Sequence, residues 1–74
     1  MILLNIEIGA KIKQLRISCG MTQEQLGNEL SVSAQAVSKW ENESALPDML
    51  ILPNLAEYFG ISIDELMGYK LNAL

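Results

Sequence analysis

Apolar residues recur along most of this chain at helical spacing. From Ile6 to Cys19 they fall at Ile8, Ile12, Leu15 and Cys19, while Glu7, Lys11, Gln14 and Ser18 take the opposite face. The spacing predicts a first helix over about 6–19, with Asn5 as N-cap and Gly20 as stop. Thr22-Gln23-Glu24-Gln25 reads as a capping box and opens a short second helix over 22–30, whose buried edge is Leu26 and Leu30. Gly27 in its middle is expected to mark the close approach of another helix. Pro47-Asp48 opens a further segment over 48–59, broken at Pro53, which buries Leu55, Ala56 and Phe59 before Gly60. Ser62-Ile63-Asp64-Glu65 is a second box and starts a last helix over 62–67, leaving 69–74 as a tail.

The most informative pattern lies between these, over 33–42. At 100° per residue, Val37, Trp40, Ala36, Ser33 and Glu41 fall on one side; Gln35, Ser38, Lys39 and Asn42 fall on the other, with Ala34 at the border. The first side can pack against a core. The second is a row of short donors and acceptors with one cation. A merely solvated face more often carries Glu–Lys pairs four residues apart, whereas these groups suit base edges and phosphates. Only Ser31-Val32 separates this segment from the helix before it, which is helix-turn-helix spacing with 33–42 as the reading helix. No stretch alternates with period two, so the expected fold is all-α: five short helices in a single domain, 1–74.

Composition narrows the function. Seventy-four residues, half of them hydrophobic, make one small core. With one cysteine there is no intrachain disulfide, and Cys19 reads as a small apolar residue in a reducing compartment. The chain has no histidine, no Gly-rich phosphate loop and no metal-ligand spacing, so an enzyme, a metal site and a cofactor are not expected. Met1-Ile2-Leu3-Leu4 is too short for a signal h-region or a membrane span, and a cytoplasmic protein without a membrane partner is expected.

The net charge of −4 counts against a nucleic-acid partner, but its distribution softens the objection. Lys11, Lys13, Arg16 and Lys39 balance Glu7, Glu24, Glu29 and Glu41 within 1–42, while Glu43, Asp48, Glu57, Asp64 and Glu65 face only Lys70 in 43–74. Arg16 leans toward the core side of its helix, as Glu41 does on its own. Each would be a costly orphan alone, so the two are expected to form a partly buried salt bridge.

Five pieces, in order, carry a resemblance. They are Ile8 to Arg16, Met21 to Leu26, Val32-Ser33 with Ala36 to Asn42, Pro47-Asp48, and Ile63 to Leu66. Together they resemble the XRE family, the phage-repressor-like (Cro/C1-type) helix-turn-helix DNA-binding proteins. The resemblance implies a lambda-repressor-like fold whose third helix enters the major groove of double-stranded DNA, usually as a homodimer. It implies base contacts from Ala34, Gln35 and Lys39, phosphate contacts from Gln23 and Asn42, and a structural ion pair of Arg16 with Glu41. On the same face Ser38 joins the base-reading set, and Ser33, at the helix start, joins the phosphate set.

Three positions depart from the family pattern. Gly27 stands where alanine is usual, Ser31 where Gly or Asn is common, and Glu43 where Gly commonly ends the reading helix. At the latter two a left-handed backbone costs on the order of 1 kcal/mol. The function expected is a sequence-specific transcriptional regulator, a repressor. The alternative is an antitoxin-like or other protein-interaction module on the same fold, with a protein partner or a further C-terminal domain. A dimer contact through Ile61, Leu66, Tyr69 and Leu71 is expected.

Overall fold

The computed structural model describes residues 8–67. Among these the fold is all-helical: α1 (Ile8–Ser18), α2 (Gln23–Leu30), α3 (Ala34–Glu41), α4 (Leu52–Phe59) and α5 (Ile63–Leu66). Asn5 and the segment 69–74, with Tyr69 and Leu71, lie outside the described residues.

Each boundary has a local cause. The Thr22 hydroxyl accepts from the Gln25 amide, and the Gln25 side chain accepts in return from Thr22 N–H at 2.8 Å, closing the capping box of α2. Ser33 and Ser62 cap α3 and α5 by accepting from Ala36 N–H and Glu65 N–H. Asp48 accepts from the amides of Leu50, Ile51 and Leu52, forming a turn that precedes α4. Pro53 then falls in the first turn of α4, where no intrahelical N–H is required of it.

The single core draws on all five helices: Ile8 and Ile12, Leu26 and Leu30, Val37 and Trp40, Leu55 and Ala56, and Leu66. It sits between α3, packed on α1 and α2, and the α4–α5 pair. Two glycines set how closely its backbones meet. A Cβ on Gly27 would stand 2.7 Å from the Val32 carbonyl oxygen, so the close approach is to the α2–α3 turn rather than to another helix. A Cβ on Gly9 would stand 2.3 Å from the Trp40 carbonyl oxygen, which lets α1 lie directly against the end of α3.

Two further expectations are corrected. Cys19 is exposed. Helix α1 ends at Ser18, and Met21, folded back by the hydrogen bond its N–H donates to the Arg16 carbonyl, packs against the core instead. Leu66 is fully buried, so it cannot form an outward apolar contact, and Ile61 is half-buried against the core. The core needs both. Among the described residues the most exposed large apolar side chains are Leu46, Met49 and Leu50, in the connection between α3 and α4.

Candidate nucleic-acid interface

The outward face of α3 is built by the inward one. Val37 is fully buried and Trp40 is 5% exposed, which fixes the rotation of the helix about its axis. Gln35 and Lys39 are therefore exposed, while Ala34 and Ser38 are half-buried at the margins of the same face. At its start, the exposed Ser33 uses its hydroxyl oxygen as the cap, leaving the hydroxyl proton free to donate. At its end, the exposed Asn42 accepts from Ser44 N–H at 2.9 Å through Oδ1, which leaves its NH₂ group as a donor.

Behind this face lies a polar knot. Arg16 Nε donates to Glu41 Oε2 at 2.6 Å and a second guanidinium nitrogen donates to Oε1 at 3.0 Å, a bidentate pair. The Arg16 and Glu41 side chains are only 12% and 4% exposed. A third nitrogen of Arg16 donates to the Met21 carbonyl at 2.7 Å, which ties in the α1–α2 loop. The hydrogen bond to Glu41 raises the Arg16 pKa above its ordinary value. Gln23, at the start of α2, adds a third donor to the same carboxylate: its Nε2 lies 3.2 Å from Glu41 Oε1. This last bond has no signature in the periodicity, because it joins residues eighteen positions apart.

Thus the fold brings Ser33, Ala34, Gln35, Ser38, Lys39 and Asn42 onto one helix. Gln23 stands at the head of the neighbouring helix, and the Arg16–Glu41 pair lies beneath. The first amides of α2 and α3 have no acceptor inside their helices, and they add partial positive charge where an anion would sit. By contrast, an open groove lined by Glu29, Leu30, Ser31, Asn54, Glu57 and Tyr58 carries two carboxylates and no cation, which does not suit nucleic acid. Among the described residues no group of His, Cys, Asp and Glu could hold a metal ion, and no helix is long and apolar enough to cross a membrane.

A short helix stacked on its capped predecessor, apolar inside and rich in donors outside, defines a helix-turn-helix domain. Residues 12–66 match the profile described as helix-turn-helix, and the chain belongs to this family, in its XRE-type form.

The transcriptional activator BcrR of Enterococcus faecalis is 42% identical over 63 residues, 85% of this chain and 31% of BcrR. The chain thus spans under a third of that relative's length. The solved P22 c2 repressor, in complex with synthetic operator 9T, is 28% identical with a TM-score of 0.79, covering 85% of this chain and 96% of that one. FeII HppE in complex with substrate matches at 25% identity and a TM-score of 0.72, over 84% of this chain and 35% of that one. The same domain fold therefore occurs in proteins of different activity, and function has to be argued from the site.

Proposed function

We propose that the protein binds double-stranded DNA sequence-specifically and regulates transcription, as a cytoplasmic repressor and not an enzyme. The observation that carries this reading is the outward face of α3, with Gln35 and Lys39 exposed between the donors Ser33 and Asn42. A helix laid in the major groove presents its early residues to base edges. Gln35 then pairs bidentately with adenine, and Lys39, one turn on, donates to guanine. Ala34 and Ser38 flank them within reach of a thymine methyl or a base edge. Gln23, Ser33 and Asn42, at helix ends, hold phosphates and carry no sequence information. Repression requires only that the operator be occupied, which this face supplies. The operator of the P22 c2 relative supports the assignment.

One lysine on one short helix is a small anchor for an acidic chain, so the bound form is a homodimer. The connection after α3 supports this: Leu46, Met49 and Leu50 are 72%, 83% and 80% exposed, held outward by the Asp48 turn. Three side chains make a small patch, below the roughly 800 Å² per partner of a stable interface. Two copies therefore meet on DNA, at half-sites about 34 Å apart, rather than free in solution.

The test is selection of tight binders from random duplexes, followed by titration at several salt concentrations. A pseudo-palindromic operator bound by two chains is expected, with affinity that falls as salt rises because counterions are released. Gln35→Ala should cost about 1–3 kcal/mol there and flatten preference at one base pair per half-site. If selection yields no preferred duplex, the Leu46–Leu50 surface becomes the site of an antitoxin-like protein contact and the DNA reading is lost.

A further inference from the structure

The Gln23 amide has two ends that look alike in shape and are opposite in function: an NH₂ group with two hydrogens and an oxygen that only accepts. A phosphate tolerates the first and repels the second. Which end meets the DNA therefore decides whether Gln23 helps or hinders. In this fold the choice is made by Glu41, whose carboxylate, paired with Arg16, can only accept. Its Oε1 takes one hydrogen of Gln23 Nε2 at 3.2 Å, so the NH₂ end meets the last residue of α3 and keeps its second hydrogen for another acceptor. Glu41 itself cannot turn away, since both of its oxygens are held by Arg16, at 2.6 and 3.0 Å.

We propose that Glu41 is a positioning residue for DNA: clamped by Arg16, it sets the polarity of the Gln23 amide so that Gln23 donates to a phosphate. This rests on the DNA-binding reading above and adds a role to a pair that otherwise serves stability alone. It also explains how a carboxylate is tolerated behind a DNA-facing surface. Its charge is neutralised by Arg16, and its remaining hydrogen-bonding capacity is turned to orienting a donor.

The test separates positioning from stability. Arg16→Met combined with Glu41→Met removes carboxylate and guanidinium together, so net charge is unchanged, and replacing a whole buried pair by apolar groups is often neutral for folding. Melting temperature and affinity, at one salt concentration and on one duplex, are measured for the parent, Gln23→Ala, the Arg16/Glu41 double variant and the triple variant. In the parent Gln23→Ala should weaken binding about tenfold, as for the loss of a hydrogen bond to a charged group. In the double variant, melting like the parent, the same substitution should cost about threefold or less, because no carboxylate then fixes which end of the amide donates. If that double variant does not fold, Glu41→Asp, which keeps the charge and withdraws the carboxylate by one methylene, is read the same way.

A Gln23→Ala cost that is equal with and without Glu41 overturns the proposal, as does a cost of nothing in the parent. In both cases the parent's own binding leaves the DNA reading standing. A parent that binds no duplex overturns both.

Discussion

Four of the helices end in the same way and with unequal residues. After α1, Gly20 donates to Ile17 O and Met21 to Arg16 O; after α4, Gly60 donates to Glu57 O and Ile61 to Ala56 O. After α2 the pair is Ser31 to Asn28 O and Val32 to Gly27 O, and after α3 it is Glu43 to Trp40 O and Ser44 to Lys39 O. Each is the paired-bond ending that requires one left-handed residue, and the four φ values run only from 60° to 70°. Outside the helix-turn-helix that residue is glycine. At the ends of its two helices it is Ser31 and Glu43, which carry a Cβ in a conformation that costs on the order of 1 kcal/mol each.

The α3 ending is the poorer of the two. Met21, Val32 and Ile61 follow their caps with an apolar side chain packed on the core, whereas exposed Ser44 follows that of α3. Strain of this kind persists only where the surroundings over-determine the backbone. Here they are the Arg16–Glu41 clamp two residues before Glu43, the Asn42 side chain bonded to Ser44 N–H, and the close seat of α1 at Gly9, over which the Glu43 Cγ lies. The end of the reading helix is thus held by tertiary contacts instead of by its own sequence.

Removing the clamp should have the largest effect. Arg16→Met leaves Glu41 buried without its cation, which costs about 3–5 kcal/mol. A domain of this length has roughly 4–11 kcal/mol in all, so much of the population should unfold at 37 °C. Hydrogen exchange should show the amides of Glu43 and Ser44 losing protection more than those of Gly60 and Ile61. A parent-like melt would mean that the α3 ending is supported by something else.

Exchanging the cap residues should give a smaller effect of predictable sign. Ser31→Gly and Glu43→Gly relieve the left-handed strain and lose some of the gain to the freer unfolded chain, for a net stabilisation of about 0.5–1 kcal/mol each. Gly60→Ala should destabilise by about 1 kcal/mol. Nothing lies within 4 Å of the Cβ it would add, so the loss is conformational alone. Urea midpoints for the three variants test the set; a fall for either glycine substitution would show that the left-handed residue costs nothing where it stands.

Much of this is legible in the sequence, because it depends on neighbours along the chain. The Thr22–Gln25 box, the Val37–Trp40 side of α3 and the inward lean of Arg16 and Glu41 follow from spacing within a turn or two, and the strain at Ser31 and Glu43 follows from the resemblance to the XRE family. What periodicity cannot carry is the meeting of distant backbones. Gly9 against Trp40 and Gly27 against Val32 emerge only when helices pack, and the Gln23–Glu41 bond joins two helix ends. Cys19 and Leu66 depart from the pattern for a related reason. Periodicity assigns a face, but whether that face meets the core depends on where the helix stops and what lies opposite.

The smallest effect separates the two consequences of Glu43, its strained backbone and its charge. It adjoins Asn42, so when that residue grips a phosphate the carboxylate lies within about one Debye length of the DNA. A unit charge roughly 10 Å from another in water is worth about 0.4 kcal/mol, near a factor of two in affinity. Glu43→Gln removes the charge and keeps the strain; Glu43→Gly removes both. Both should tighten binding to every duplex by about twofold at low salt and lose that gain as salt rises. Only Glu43→Gly should also raise the urea midpoint. Ser31→Gly supplies the converse, a higher midpoint with unchanged affinity. If instead affinity followed the midpoint across all three variants, the gain would come from a stiffer helix end, and the charge of Glu43 would have no part in DNA binding.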